Sequence, residues 1–181
     1  STTTDPASVR VPDYLPDTPL FRYTVARYLD LHLEMDAQVG EFLAQLESDG
    51  VLEDTIIFYY GDHGGIMPRS KGYAYETGLH IPLVVVAPPK WQHLVPGAPG
   101  SRESGFVSFV DFGATVLNVA GVAVPDAFDG RPFLGADITA DDIASRDTVF
   151  GYANRFDEKS DFVRTVRRGK FKYMRHYTPF T

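Results

Sequence analysis

The chain has 181 residues, a length typical of one domain, and its 44% hydrophobic content is enough for a sizeable core. A formal net charge of −7 at pH 7 argues against nucleic acid as the main partner, and the absence of cysteine excludes disulfides, thiolate metal sites and a cysteine nucleophile. No segment approaches the roughly 18 consecutive apolar residues of a membrane helix, so no membrane partner is expected.

The first part of the chain predicts an irregular arm followed by one long helix. Prolines spread through residues 1–20 exclude a helix there, so this arm is expected to lie extended over a surface. Over residues 21–49, apolar side chains recur every three or four positions, and Gly50 is typical of a residue just beyond a helix end. His32 falls on this apolar stripe, which favours a satisfied core histidine over a metal ligand.

Two short apolar segments flank a polar, glycine-containing loop in the middle of the chain. Residues 55–60 and 81–87 are apolar almost throughout, as expected for strands covered on both faces. The order helix, strand, loop, strand predicts a layered α/β sheet.

The remaining elements are shorter. In chain order they are a brief strand at Phe106–Val107, a helix over 109–120 with Ser108 as its N-cap, a loop over 122–147, a strand over 148–154 and a hairpin within 162–176 whose tip is at residues 167–170. Basic residues alternate with apolar ones in the hairpin, which predicts the solvated face of a strand pair.

Asp62 and His63 directly follow the first apolar strand and are candidate metal ligands. A carboxylate and an imidazole are adjacent there, beside glycines that allow a close approach, at the strand end where open α/β sheets place their sites. An ordinary strand-to-loop turn with a capping aspartate explains the pair equally well. These two ligands alone do not identify the metal ion. Further oxygen ligands would favour calcium or magnesium, whereas further imidazoles would favour zinc.

The loop after this pair carries further candidates. Arg69 and Lys71 place two cations on one loop, which suits an anionic group, although a solvated basic loop is the simpler interpretation. Glu76 either orients Lys71 or satisfies backbone N–H groups. His80 either faces the site or caps the entry of the second strand, and the second interpretation fits better.

The segment DTIIFYYGDHG followed by PRSKGYAYETGLHIPLVV resembles the sulfatase family of the alkaline phosphatase superfamily, especially the group of heparan N-sulfatase and bacterial polysaccharide sulfatases. The flanking segments YLDLHLEMDAQVGEFLAQLESDGVLEDT, VSFVDFGATVLNVAGVAVPDAFDGRPFLG and TVRRGKFKYMRH are also similar to that family. The resemblance covers most of residues 11–176. The DHG tripeptide is shared across the superfamily, but its combination with the Lys71–Glu76 loop and the LHIPLVV strand is specific.

This resemblance implies an alkaline-phosphatase-like fold, with a layered sheet and helices on both faces. Residues 1–20 would be an extended arm, 21–145 part of the α/β core, and 146–181 the start of a small C-terminal strand subdomain. The family's first Asp-Asp metal pair and its Cys/Ser-x-Pro-x-Arg nucleophile motif are absent from this sequence. The chain is therefore expected to be a truncated, middle-to-C-terminal fragment.

The resemblance also implies roles for single residues. Asp62 and His63 match metal ligands, usually for calcium, with magnesium, manganese or zinc as other options, and Lys71 matches a lysine that contacts the sulfate. Arg69 and His80 are weaker candidates for substrate binding. In such enzymes a formylglycine, made from cysteine or serine, attacks sulfur as its hydrate while the metal and cations stabilise charge on the sulfuryl oxygens.

The incomplete site leads to further expectations. Calcium prefers roughly six or more oxygen ligands, so the chain by itself is expected to bind metal weakly and to be inactive. It is also expected to associate, or to need the missing N-terminal half, to cover exposed apolar surface. The implied substrate is a sulfated carbohydrate, as an ester or a sulfamate, and the family habit is export by a signal outside this sequence. Two alternatives are a phosphodiesterase or phosphonate monoester hydrolase of the same superfamily, and a non-catalytic binding protein with a degenerate sulfatase fold.

Overall fold

The computed structural model describes residues 1–156 and 159–178, which form a mixed α/β chain of two compact units, Ser1–Thr55 and Ile56–Thr181. The helices are α1 (Pro19–Ser48), α2 (Glu76–Leu79), α3 (Val110–Val119) and α4 (Ala140–Ala144), with short 3-10 helices at Leu52–Asp54 and Pro89–Leu94. The strands are β1 (Ile57–Tyr60), β2 (Leu83–Val86), β3 (Thr148–Phe156), β4 (Lys159–Arg168) and β5 (Phe171–His176). None of the helices in the described ranges combines the length and hydropathy needed to cross a membrane.

The first unit is α1 with the N-terminal arm bound along it. Thr18 caps the helix, because its hydroxyl oxygen accepts a hydrogen bond from the Phe21 N–H at 3.3 Å. Asp30 is buried and accepts hydrogen bonds from the Thr4 hydroxyl at 2.7 Å and from the Thr3 and Thr4 N–H groups at 2.8 and 2.9 Å. These bonds, led by that of the Thr4 hydroxyl, hold the pKa of Asp30 below its ordinary value. The long helix is confirmed, and it begins at Pro19, inside the segment 1–20 that the sequence predicts to be free of helix.

The apolar stripe of α1 is less buried than its periodicity predicts. In the first turns Val25 and Ala26 are buried, but farther along Leu33 and Phe42 are 61% and 59% exposed. His32 is also exposed, with its Nδ1 2.8 Å from the carbonyl oxygen of Tyr28. The prediction of a core histidine is therefore wrong, because within this unit the arm covers only the first part of the helix.

The second unit begins with an antiparallel pair of strands. β1 and β2 pair from Ile57 opposite Val86 to Tyr60 opposite Leu83, so both predicted strands are confirmed, each shorter than predicted. Val84 and Val86 are 49% and 52% exposed, so the prediction that the strands are covered on both faces is wrong within the described residues. The described residues form this two-stranded sheet and a separate three-stranded one. A larger layered sheet therefore stays a prediction about the whole protein.

A hydrophobic core covers one face of β1 and β2. Its centre is Phe133, Leu134 and Ile143, and Phe58 and Phe112 are among the partly buried side chains packed against it. Ile143 comes from α4, which lies in the segment that the sequence predicts as a loop. A helix of five residues is too short to show a helical period, so the prediction missed it.

The entry to α3 also differs from the prediction. The Asp111 carboxylate, rather than the Ser108 hydroxyl, organises this helix start, because it accepts hydrogen bonds from the N–H groups of Ser108 at 3.0 Å and Arg131 at 2.9 Å. Among the described residues, Phe106 and Val107 lie outside both sheets. The Phe106 N–H instead donates to the carbonyl oxygen of Arg146 at 2.9 Å, so the predicted brief strand is wrong.

The C-terminal strands form an antiparallel sheet in the order β3-β4-β5. Gly169, with φ of 53°, makes the tight turn between β4 and β5, so the predicted hairpin and its tip are confirmed. Val163 and Thr165 are buried on the inner face of the sheet. The outer face exposes aromatic side chains, namely Phe150, Tyr152, Phe171 and Tyr173.

Candidate functional site

The loop between β1 and β2, residues 61–80, is folded tightly on itself. The Gly64 N–H donates to the carbonyl oxygen of Gly78 at 3.0 Å and joins the two ends of the loop. A Cβ atom on Gly64 would lie 1.9 Å from the Thr77 carbonyl oxygen, and one on Gly78 would lie 2.3 Å from that of Tyr73. Only glycine fits at these two positions, so the loop conformation depends on them.

The middle of the loop is tied to both ends. The buried Ser70 donates its hydroxyl hydrogen to the Thr77 carbonyl oxygen at 2.6 Å. The Lys71 N–H donates to the carbonyl oxygen of Gly65 at 3.1 Å. Because Gly65 follows His63 by two residues, the fold brings the backbone of Lys71 next to the segment that carries Asp62 and His63.

The side chains of Asp62 and His63 lie next to each other. Nδ1 of His63 lies 2.8 Å from the Gly64 carbonyl oxygen, which can only accept, so this nitrogen carries the hydrogen. In the neutral ring, Nε2 then has a free lone pair, and it lies 3.4 Å from Oδ2 of Asp62. Both side chains are exposed at the loop surface. Histidines that bind a metal through one ring nitrogen typically donate a hydrogen bond from the other nitrogen to a backbone carbonyl in this way.

The side chains of Asp62 and His63 can together supply two of the ligands of a metal site. In the described ranges, no group of three or more histidine, aspartate or glutamate side chains is close enough to hold a metal ion. One carboxylate and one imidazole fall well short of the roughly six ligands that calcium prefers. The other ligands of such a site would have to come from outside the described residues.

The predicted cationic residues of the loop differ in their surroundings. The side chain of Lys71 is exposed and forms no ion pair with any residue in the described part of the chain. The guanidinium of Arg69 lies over the ring of Tyr75, 4.6 Å from its centroid. The His80 N–H donates to the Glu76 carbonyl oxygen at 2.7 Å, which places His80 at the end of α2.

Glu76 has partners that the sequence did not indicate. Its carboxylate accepts hydrogen bonds from Nη1 of Arg167 and from Nζ of Lys172, the latter at 2.8 Å. Burial acts to raise the pKa of Glu76, but the hydrogen bond from Lys172 and the charges of both cations outweigh it and hold this pKa below its ordinary value. The prediction of a wholly solvated basic hairpin is therefore wrong for these two cations.

A second charged cluster supports the core beside α3. Arg146 and Asp111 form a largely buried pair, with Nη1 3.6 Å from Oδ2, and burial lowers the pKa of Arg146. Arg146 also donates to the carbonyl oxygens of Arg131 and Pro132. A shallow cavity of about 340 Å³ next to it is lined by residues 131–146 and contains none of the five predicted site residues. Because its polar groups are paired, we interpret this cluster as structural.

Comparison with known proteins establishes the family. Residues 3–122 match the Sulfatase family, so the chain belongs to the sulfatase family, and the resemblance inferred from the sequence motifs is confirmed. The chain is 39% identical over 169 residues to the ulvan-active sulfatase of Formosa agariphila, a match that covers 93% of this chain and 27% of that protein.

Two further relatives are more distant. The N-sulphoglucosamine sulphohydrolase of Homo sapiens is 32% identical over 121 residues, covering 67% of this chain and 23% of that protein. The arylsulfatase K of Bos taurus is 31% identical over 113 residues, covering 60% of this chain and 20% of that protein. The chain thus spans about a quarter of the length of the curated relatives it matches.

Proposed function

We propose that this chain is the part of a sulfatase that supplies two metal ligands and a sulfate-binding lysine for the hydrolysis of sulfate groups on a carbohydrate. The observation that carries the proposal is the loop 61–80, in which the hydrogen bond from the Lys71 N–H to the Gly65 carbonyl oxygen links the backbone of Lys71 to the segment of Asp62 and His63. Membership of the sulfatase family and the names of the relatives, which include ulvan and sulphoglucosamine, support the reaction and the substrate class.

Asp62 and His63 would hold a divalent metal, with calcium as the first candidate. When bound, such a metal supplies positive charge to the oxygens of the sulfuryl group. The hydrogen bond from His63 Nδ1 to the Gly64 carbonyl selects the tautomer of the neutral ring in which Nε2 can bind a metal, and Nε2 lies beside the Asp62 carboxylate. In the neutral ring, Nε2 and the Asp62 carboxylate both offer lone pairs, so the two residues would hold a divalent cation favourably.

Lys71 would bind the sulfate. Its ammonium group is exposed, and its backbone is fixed by the bond to Gly65. A compact cation at this place would stabilise the negative charge that grows on the sulfuryl oxygens in the transition state. Arg69 and His80 are secondary candidates, because the stacking of Arg69 on Tyr75 and the position of His80 at the end of α2 restrain both.

The proposal extends to the whole protein. The nucleophile, a formylglycine, and the remaining metal ligands would lie outside this chain, in an exported protein with a layered, alkaline-phosphatase-like sheet. The purified 181-residue chain is accordingly expected to release no sulfate from a sulfated carbohydrate. Measurable turnover by the chain itself would contradict this division of the site.

A segment exchange tests the proposal. The matching region of the Formosa agariphila sulfatase is replaced by this chain, and sulfate release from ulvan is measured. We expect an active chimera in which Lys71→Ala lowers the rate by at least about 100-fold, the effect typical of losing one preorganised charge-stabilising group. Lys170→Ala, at the exposed hairpin tip, is the matched control and should change the rate by less than about twofold.

Two results would reject the proposal. One is a folded chimera whose sulfate release is the same with Lys71 and with alanine at that position. The other is hydrolysis of a phosphodiester to a phosphomonoester and an alcohol in preference to sulfate release, which would favour the phosphodiesterase alternative. A folded chimera that binds the polysaccharide without turnover would favour the non-catalytic alternative.

A further inference from the structure

The short helix α2 and the hairpin of β4 and β5 are joined through one carboxylate. Glu76 is the first residue of α2, within the loop that carries the candidate site. Arg167 of β4 and Lys172 of β5 lie opposite each other in the strand register, so their side chains project from the same face of the sheet. Each carboxylate oxygen has its own cation, because Oε2 faces Arg167 and Oε1 lies 2.8 Å from Nζ of Lys172.

The two cations are held in place and partly shielded from water. The side chains of Lys172 and Arg167 are only 15% and 28% exposed. The guanidinium of Arg167 lies 4.9 Å from the ring centroid of Phe106, and its Nε donates to the Gly169 carbonyl oxygen at 3.1 Å. These contacts fix the orientation of Arg167, so little conformational entropy is lost when it binds Glu76.

Close packing next to the ion pairs makes the junction rigid. A Cβ atom on Gly151 of β3 would lie 2.6 Å from Cδ1 of Leu79 and 2.8 Å from Oγ1 of Thr165. A side chain at residue 151 would therefore displace the side chain of Leu79 or Thr165, and glycine lets the sheet pack directly against the end of α2. The contact and the ion pairs act on opposite ends of α2, at Leu79 and at Glu76.

The position of α2 determines the position of the candidate site. Its residue Gly78 accepts the hydrogen bond from the N–H of Gly64, which follows His63 directly. Its residue Thr77 accepts the hydrogen bond from the hydroxyl of Ser70, which precedes Lys71 directly. A displacement of α2 would therefore act on both halves of the site at once.

We propose that Arg167 and Lys172 are positioning residues, which hold Glu76 and α2 so that the hairpin fixes the loop carrying Asp62, His63 and Lys71. The coupling between the hairpin and the loop is inferred from the geometry alone. Its consequence for sulfate binding rests on the proposed function. The hairpin thus contributes to the site through Glu76 rather than by contact with a substrate.

Amide hydrogen exchange of the full 181-residue chain tests the coupling. The reporters are the N–H groups of Gly64 and Lys71, which donate across the loop. We expect Glu76→Gln and Arg167→Gln to accelerate their exchange by about tenfold, as expected for a local opening made easier by the loss of its anchor. The matched control is Arg168→Gln, which removes the adjacent arginine and its exposed pair with Asp147 and should change the exchange by less than about twofold.

Two further variants separate charge from packing. Arg167→Lys keeps a cation and should restore most of the protection of the loop. If Arg167 acted by packing on Phe106 alone, lysine and glutamine at this position would behave alike, and the proposal would fail. The double variant Glu76→Gln with Arg167→Gln should exchange no faster than the faster single variant, because both substitutions break the same interaction.

Other outcomes of the exchange measurement are also decisive. Equal acceleration by Arg167→Gln and Arg168→Gln would overturn the proposal. Uniform acceleration that includes the amides at the end of α3, such as Ala120, would show a loss of global stability instead of a local release and would overturn it too.

Sulfate binding provides the readout at the site itself. Inorganic sulfate is titrated into the chain while the NMR signals of Lys71 are followed, and Glu76→Gln should weaken the response by about tenfold relative to the unmodified chain. If sulfate leaves Lys71 unchanged in the unmodified chain, the proposed function loses its support, whereas the coupling is still decided by the exchange rates.

Discussion

Loop 61–80 has little regular structure but is tightly packed at its glycines, whereas helix α1 is regular but open to solvent at its glycine. The loop is mostly irregular, yet Gly64 and Gly78 sit in contacts that admit no side chain. The helix is regular over 30 residues, yet a Cβ atom added at Gly40 would meet nothing within 4 Å. The tolerance of a segment to substitution therefore follows from its contacts and not from its secondary structure.

Matched glycine substitutions should give the largest effect. Gly64→Ala places a methyl group 1.9 Å from the Thr77 carbonyl oxygen, so we expect it to destabilise the second unit by about 3 kcal/mol. Gly40→Ala relieves the entropic cost of glycine in an open helix and should stabilise α1 by about 0.5–1 kcal/mol. Urea unfolding followed by circular dichroism measures both free-energy changes. Effects of the same sign would contradict the difference in packing between the loop and the helix.

Helix α1 is bonded to the N-terminal arm through Asp30, and removing this carboxylate should give the next effect. Asp30→Ala leaves three donors of Thr3 and Thr4 without their acceptor, so a loss of roughly 2 kcal/mol is expected. Asp36→Ala, on the exposed part of the same helix, should change stability by less than about 0.5 kcal/mol. Urea midpoints of the two variants provide the measurement, and equal losses would show that the arm adds nothing to the packing of α1.

The exposed apolar side chains of α1 should promote association. Leu33 and Phe42 are more than half exposed, and we expect the chain to self-associate through such surfaces. The double substitution of both by lysine should weaken association by about tenfold, whereas Val122→Lys, at an exposed position of the second unit, should have little effect. Analytical ultracentrifugation measures this, and a strictly monomeric unmodified chain would contradict the expectation.

The substitution Glu76→Gln should give the smallest effect on stability, and this effect should depend on pH. The folded-state pKa of Glu76 is lowered from 4.5, so its contribution to stability is present above that value and is lost as the pH falls through the lowered pKa. Because the carboxylate is 42% exposed, solvent screening limits the effect of Glu76→Gln to about 1 kcal/mol at pH 7. Urea midpoints between pH 7 and pH 3 should converge for the variant and the unmodified chain, and a constant difference would refute the ionic origin.

Much of the fold was predictable because its signals are local. The long helix is recorded in the apolar period of residues 21–49, the strands in their short apolar runs, and the hairpin tip in Gly169. The N-cap of α3 was missed because local and distant partners compete there. Ser108 has the residue type of an N-cap, but the Asp111 carboxylate organises the helix start instead. It accepts hydrogen bonds from the N–H of Ser108 and from the distant N–H of Arg131.

The candidate site was predictable to the level of its motif. Asp62, His63 and Lys71 were identified by residue type and by resemblance to sulfatases, and their roles stay predictions. The structure adds the hydrogen bond that orients His63 and the backbone bond that brings Lys71 beside Gly65. Sequence spacing could not provide these, because the path of an irregular loop depends on which backbone groups pair.

The sequence by itself determined the family, the order of the main elements and the chemical types at the loop, because periodicity and motifs are properties of neighbouring residues. Tertiary structure decided the partners of charged groups. Glu76 lies 91 and 96 residues from Arg167 and Lys172, and their pairing arises only when the hairpin packs on α2. An ion pair depends on distance in space, which no spacing along the chain records.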